Sequence, residues 1–398
     1  MTAAPAGRLR RAGEVLAVFL GLGLTSFGGP VAHLGYFRRA LVVRRGWLDE
    51  RSYGDLVALC QFLPGPASRQ VAMAIGLRRA GVLGLLAAWL GFTLPSAVAM
   101  VGFGYGLGFL GGTADAGWVL GLKAAAVAVV ADAVLGMART FAPDARRGAL
   151  AVAATVAVLL APVPWMPVVV LAVAGLAGLA WLRPDAVESG GDPVVAGSRR
   201  AGGVLLASFV TLLVGLPLLA VATGHPALRL ADGFYRAGSL VFGGGHVVLP
   251  LLDAETVQRG LVGQDTFLSG YWAAQALPGP LFSFAAFLGF VATAPPNGVP
   301  GALIALVAVF LPGALLVAGV LPFWERLRHS PRARRALAGT NAAVVGILAA
   351  ALYTPVFTAG VRGPGSLAIA VIAFVALLTR RVPVWAVVLG SGAAGALL

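Results

Sequence analysis

The chain is short of nearly everything that a water-soluble protein of 398 residues displays on its surface. Charged residues make up 11% against 59% hydrophobic, where a soluble domain carries about a quarter charged. Mean hydropathy is +0.91, and five or more apolar stretches reach 18 residues, so the chain reads as a bilayer protein. There is one cysteine, Cys60, which excludes an intramolecular disulfide and a thiolate metal cage. Four histidines (His33, His225, His246 and His329) lack any metal-ligand spacing such as HExxH. No GxxxxGK[ST] string occurs, so no P-loop supplies ATP energy, and no resident cofactor is expected. Acids number only 15 and lysine is represented once, by Lys123, so the formal charge of +14 is carried by arginine. These arginines fall in short runs between apolar segments, with no basic stripe of interleaved aromatics. That pattern excludes nucleic acid as a partner and marks the cytoplasmic loops of a membrane protein.

What is present is a duplication. Phe27-Gly28-Gly29-Pro30 recurs as Phe242-Gly243-Gly244-Gly245, and Gln61-Phe-Leu-Pro64-Gly65-Pro66 recurs as Gln275-Ala-Leu-Pro278-Gly279-Pro280, at offsets of 215 and 214. Leu94-Pro95 matches Leu311-Pro312, and Gly121-Leu-Lys123 matches Gly339-Thr-Asn341, at 217 and 218. Four matches in order imply two homologous halves. The expected domains are an N-terminal repeat over 1–182, a linker with one extra apolar helix over 183–232, and a C-terminal repeat over 233–398.

Arginine placement sets the expected topology. Arg78 and Arg79, Arg139 to Arg147, Arg183 to Arg200, Arg326 to Arg335, and Arg380 and Arg381 should be cytoplasmic, whereas loops 112–116, 161–164 and 292–299 carry no basic residue. Six elements per half plus one joining helix insert the halves upside-down to each other, a transporter signature. The expectation is an all-α polytopic membrane protein of two inverted-topology repeats with broken or re-entrant helices. Nine full crossings and four broken elements are favoured over thirteen crossings. The N-terminus is expected in the cytoplasm, as an uncleaved first membrane element, and the C-terminus outside; a homodimer is left open.

Pro64-Gly65-Pro66 cannot continue a helix, since two residues lack an N–H and the third accepts unusual dihedrals. Breaks at paired positions in the two halves point to a substrate site, and the freed N–H groups suit an anion. Candidate binding residues in the first half are Ser26, Phe27, Gly28, Gly29, Pro30, His33, Gln61, Pro64, Gly65, Pro66, Ser68, Arg69 and Lys123. Those in the second half are Phe242, Gly243, Gly244, Gly245, His246, Gln275, Pro278, Gly279, Pro280 and Asn341. A planar guanidinium matches a tetrahedral oxyanion, which favours Arg69. Lys123 either coordinates the anion or snorkels to the surface. Asp132 is a candidate partner for a buried cation or a proton carrier. Gln61 and Gln275 either bond substrate oxygens or cap the broken backbone. Simple kinks for close helix packing, and packing roles for the histidines, are the alternatives.

The strings LTSFGGPVAHLGYFRR at 24–39, WLDERSYGDLVALCQFLPGPAS at 47–68, FGGGHVVLP at 242–250 and QALPGP at 275–280 resemble those of the chromate ion transporters, in both halves. The resemblance implies a two-domain plasma-membrane protein that exports chromate and confers chromate resistance, with its Phe-Gly-Gly-Pro and Gln-Pro-Gly-Pro positions functional. Arg69 stands where many members are expected to carry a small polar residue. Other readings are a carrier of the same fold for another oxyanion such as sulfate, a passive anion channel, or a membrane-embedded enzyme. The last requires a nucleophile–base pair or a metal cluster, and the sequence displays neither.

Overall fold

The computed structural model describes residues 5–26, 29–109, 117–161, 163, 166–183, 198–241, 248–324, 330–379, 382 and 384–397. All regular structure among them is helical. In the first half, α1 (Pro5–Thr25) and α2 (Gly29–Phe37) flank the first glycine run, and α3 (Glu50–Phe62) ends at the first Pro-Gly-Pro. The Asp49 carboxylate caps α3 by accepting from the Ser52 amide at 2.8 Å, an N-cap worth about 1 kcal/mol. The next helix, α4 (Ala67–Phe109), is 43 residues long but is two helices joined head to tail, broken where Ala80 leaves helical dihedrals and Gly81 adopts φ +66°. The chain doubles back there, because a Cβ on Gly84 would run into the Gly76 carbonyl. Next come α5 (Gly117–Phe141), α6 (Ala145–Leu160) and α7 (Met166–Trp181).

After the joining helix α8 (Arg199–Thr223), the second half repeats the plan with α9 (Pro226–Ser239), α10 (Val248–Thr256), α11 (Gln264–Ala276), α12 (Phe284–Phe290), α13 (Gly298–Val320), α14 (Pro331–Ala351), α15 (Pro364–Leu378) and α16 (Val384–Gly395). The α12–α13 hairpin mirrors the one inside α4, with Gly289 and Gly301 meeting backbone to backbone.

Among the described residues, five helices are long and apolar enough to cross a bilayer: 67–107, 120–141, 199–223, 298–323 and 331–354. In the first of these, the limb beyond Gly81 is the longer one. Four of the nine expected crossings are shorter. Helices α6, α7, α15 and α16 have 16, 16, 15 and 12 residues, about 18–24 Å at 1.5 Å per residue, under the roughly 30 Å hydrocarbon core. The arms at the breaks are shorter still: α2 and α10 have 9 residues each, α3 and α11 have 13 each. The joining helix α8 buries little besides Gly202 and Ala220 and exposes Val204, Val210, Val214, Leu218 and Val221, as a helix bathed in lipid does.

The halves are interleaved rather than side by side. Helix α5 packs against α15 and α16 of the second half, and α14 packs reciprocally against α6 and α7 of the first. Glycines carry these crossings: a Cβ on Gly121 would strike the Ser391 carbonyl, and one on Gly339 would strike the Ala174 carbonyl. Residues 121 and 339 are repeat equivalents, and so are 174 and 391 at an offset of 217. Small residues let helix backbones approach where no hydrophobic effect drives association. Gly121→Val and Gly339→Val are therefore expected to abolish monodisperse protein in detergent chromatography. Gly136→Val on the same α5, where a Cβ would meet nothing within 4 Å, is expected to purify normally.

Candidate functional site

Both breaks adopt one conformation. Leu63 and Leu277, the residues that end α3 and α11, have φ/ψ of −88°/147° and −88°/148°, and Gly65 and Gly279 have φ of +119° and +97°. Each glycine N–H crosses to the other half. Gly65 donates to the Val241 carbonyl at 2.6 Å, and Gly279 donates to the Ser26 carbonyl at 2.8 Å. Residues 26 and 241 are repeat equivalents, each directly ahead of a glycine run, so the two halves hold each other by a reciprocal pair of bonds. Backbone freed by the breaks is thereby satisfied inside protein, as the bilayer interior demands.

The two breaks differ in the residues just beyond them. After the first come Ser68, Arg69 and Gln70, all at most 2% exposed. Gln70 Nε2 reaches back to the Pro64 carbonyl at 2.7 Å. The amides of Arg69 and Gln70 both donate to the Pro66 carbonyl, and the amides of Ala67 and Ser68 head the helix, where the helix itself supplies them no carbonyl. Arg69 is fully buried. Its guanidinium lies between two rings, 5.3 Å from the centroid of Phe92 and 4.1 Å from that of Phe310, one from each half. Nη1 donates to Thr93 Oγ1, which donates in turn to the Trp89 carbonyl. Nε and Nη2 have no hydrogen-bond partner, and no carboxylate among the described residues pairs with Arg69.

His33 stands beside this cation. It is 1% exposed, its Nδ1 lies 3.4 Å from Ser68 Oγ, its ring meets Phe92 edge-on at 5.2 Å, and Arg69 is within electrostatic reach. His33 Nε2 and the buried Ser26 Oγ are without partners, as is Gln70 Oε1. Ser26, His33, Ser68 and Arg69 thus form one buried cluster around the N-terminus of the helix after the first break.

Beyond the second break the position equivalent to Arg69 is Ser283. Its Oγ shares a hydrogen bond of 2.5 Å with Ser96 and reaches the Pro280 carbonyl at 2.8 Å. That break is closed by neutral hydroxyls.

Phe27 and Gly28, and residues 242–246 with Phe242, Gly243, Gly244, Gly245 and His246, lie outside the described residues. Gly29 and Pro30 open α2. Gln61 is exposed on α3, so the amide that holds the first break is that of Gln70 and not of Gln61. Gln275 is half-buried and donates to Tyr271 Oη at 2.9 Å. Lys123 does not snorkel: it is fully buried and its Nζ donates to Asp265. Asn341 is half-buried on α14, with Oδ1 buried and without a partner; Asp132 is half-buried on α5. Sequence reading missed Gln70, Phe92, Thr93, Phe310 and the Ser96–Ser283 pair. Thr93 and Phe310 each stand two residues ahead of the repeated prolines Pro95 and Pro312, a signal present in the duplication.

Long apolar helices and the absence of strands among the described residues make this an all-α polytopic membrane protein, and its family gives it the class of a transporter. The chain belongs to the chromate transporter family, whose pattern it matches over residues 13–179 and 228–396. It is 30% identical over 395 residues to the chromate transport protein of Pseudomonas aeruginosa, covering 96% of this chain and 91% of that one. It is 27% identical over 368 residues to the probable chromate transport protein of Synechococcus elongatus, covering 85% and 83%. It is 26% identical over 347 residues to the chromate transport protein of Cupriavidus metallidurans, covering 85% and 81%. No solved structure matches the chain.

Proposed function

We propose that this chain is a secondary transporter of the plasma membrane that carries chromate out of the cytoplasm and so confers chromate resistance, with sulfate as its nearest competitor. The observation that carries this reading is Arg69. An ion moved out of water into a protein interior loses several kcal/mol even after relaxation. Two cation–π contacts return about 2 kcal/mol each when desolvated, and the single bond to Thr93 leaves Nε and Nη2 without an acceptor. A tetrahedral dianion supplies what is missing: oxygens for Nε and Nη2, for the Ala67 and Ser68 amides, and for the hydroxyl and imidazole of Ser26 and His33. The family and the relatives named for chromate support that choice of dianion.

Direction follows from charge. A dianion leaving a cell that is negative inside gains about 2.3 kcal/mol per charge per 100 mV, hence about 4.6 kcal/mol, so export needs no nucleotide. The arginine-rich loops favour an N-terminus in the cytoplasm and a C-terminus outside. The duplication with one joining helix supports reading the two repeats, 1–182 and 233–398, as inverted copies. Carriers of this build alternate access by moving one repeat against the other around a fixed site. No catalytic role and no cofactor are part of this reading.

Proteoliposomes loaded with chromate, with membrane potential and pH gradient set independently, test it. Saturable efflux is expected, accelerated by a potential that draws anions out and slowed by sulfate more than by phosphate. Chromate release equal to that from protein-free vesicles at every potential removes the proposal. Labelling with impermeant reagents at loop 292–299 and at its equivalent around Arg78 and Arg79 tests the inversion, which fails if both loops react from the same side.

A further inference from the structure

The chain's single lysine is buried without exposure on α5, and its ammonium pairs with Asp265 in the first turn of α11, which belongs to the other half. The same carboxylate oxygen lies 3.8 Å from Arg362 Nη2, ahead of α15. Asp265 is 41% exposed, so the pair stands at the rim of the protein interior with its cation inside and its anion facing out. The second half holds further ion pairs among its own residues. Gln264, the neighbour of Asp265, reaches Asp253 at 3.5 Å, and Glu255 engages Arg236 at 3.5 Å and Arg259 at 3.1 Å. Helix α11 leads directly from Asp265 into the second break, whose Gly279 amide holds the Ser26 carbonyl beside the anion cluster. The ion pair therefore ties α5 to the helix whose far end touches the site.

The duplication shows what stands in the equivalent place. Offsets of 214 and 218 put Arg51 opposite Asp265 and Asn341 opposite Lys123. An amide and a guanidinium cannot form an ion pair, and the Asn341 Oδ1 is buried with no hydrogen-bond partner. The latch exists for one half's contact and is missing for the other's. If the halves exchange these contacts between two conformations, the conformation that makes the ion pair is favoured over the one that does not.

We propose that the Lys123–Asp265 pair is a one-sided latch, which holds closed the end of the carrier where it lies and biases the substrate-free protein toward that state. The inference rests on the carrier reading above, and it makes Lys123 and Asp265 positioning residues rather than ligands of the anion. Breaking the pair leaves a buried ammonium unpaired, which opposes the closed state strongly.

The test uses Cys60→Ala protein carrying Ser283→Cys, reconstituted in liposomes and labelled from either side with a membrane-impermeant maleimide. Asp265→Asn is expected to raise labelling from the Lys123 end about tenfold or more and to lower labelling from the opposite end, and the charge-swapped pair Lys123→Asp with Asp265→Lys should restore the parent ratio. Equal labelling in parent, Asp265→Asn and charge-swapped proteins overturns the latch. Should Asp265→Asn fail to fold, Lys123→Cys with Asp265→Cys bridged by a bifunctional thiol reagent gives the second measurement. Flux is expected to stop, and undiminished flux in the bridged carrier overturns the proposal. Labelling needs no chromate, so a carrier that shifts its labelling yet moves no chromate loses its substrate assignment and keeps its latch.

Discussion

Replacing Arg69 with methionine is expected to lower chromate flux by about two orders of magnitude while leaving the substrate-free protein as stable as the parent or more so. The two effects have opposite signs because the guanidinium is short of partners until an anion arrives. Hydrogen bonds from a charged donor contribute about 1.5–3 kcal/mol each, and Nε and Nη2 are both unpartnered, so losing two of them removes at least about 100-fold in binding. Methionine keeps apolar contact with Phe92 and Phe310, which sit 5.3 and 4.1 Å from the guanidinium carbon, and it relieves the desolvation of an unpaired ion. Replacing buried ions by apolar residues of similar volume is often neutral or stabilising. Arg69→Lys keeps the charge but loses the planar fork, and an intermediate loss of about tenfold is expected. Flux assays at matched membrane abundance, together with melting temperatures in detergent, decide the matter. Flux within twofold of the parent removes Arg69 from the site. A large fall in melting temperature alongside the lost flux makes its role structural instead.

Much of this arrangement was legible in the amino-acid order because the duplication lets each half check the other. The strings at 61–66 and 275–280 forecast a break at both places, and both backbones do leave the helix with nearly identical dihedrals. Arg69 also announced itself, as a lone cation just past a Pro-Gly-Pro in an apolar run. The rest depended on partners that no local pattern reveals. Asp265 lies 142 residues from Lys123, so the lysine read as a candidate ligand or a snorkelling residue when its charge is engaged by a carboxylate of the other half. Phe310, stacked on Arg69, looks like any other residue of an apolar helix. Gln61 stood out because it recurs in the repeat as Gln275, and Gln70 went unnoticed, but a residue one turn past the break can fold back on the Pro64 carbonyl, and Gln61 is exposed. The exchange of terminal helices between halves was hidden for a physical reason. Hydropathy says that α6, α7, α15 and α16 are apolar without saying which neighbour covers them.

That interleaving gives the asymmetry of the two breaks its meaning. The two breaks share one backbone conformation, but the side chains at equivalent positions 69 and 283 are a cation and a hydroxyl. One break carries a buried cation, and the other carries the Ser96–Ser283 bond. A single scaffold thus serves two roles by changing a few residues, with the shared main chain doing the positioning.

Alanine at Gly65 or Gly279 is expected to damage both folding and transport, and Gly279→Ala the more severely. Dihedrals of +119° and +97° are ones that residues with a side chain rarely adopt, at about 1–3 kcal/mol each. The surroundings add to this unequally. A Cβ on Gly65 would come within 2.7 Å of Gln70 Nε2, the far end of a flexible side chain that can swing aside once it releases the Pro64 carbonyl. A Cβ on Gly279 would stand 3.0 Å from Ser96 Oγ, 3.2 Å from Ser96 Cβ and 3.3 Å from the Gly23 carbonyl, and neither the Cβ nor the main chain can yield without moving a helix. Overpacking of this kind adds about 1–3 kcal/mol. Melting temperatures in detergent should therefore fall in the order parent, Gly65→Ala, Gly279→Ala. Gln70→Ala introduced beside Gly65→Ala should remove the steric part of that loss and leave the dihedral part. Because the Gly279 amide binds the Ser26 carbonyl, strain at position 279 also displaces a member of the proposed anion site in the other half. Chromate should accordingly bind more weakly to Gly279→Ala at a temperature where the protein is still folded. Alanine variants that melt and transport as the parent does would mean that the breaks are not held in these dihedrals, and the anion site built upon them would fall with them.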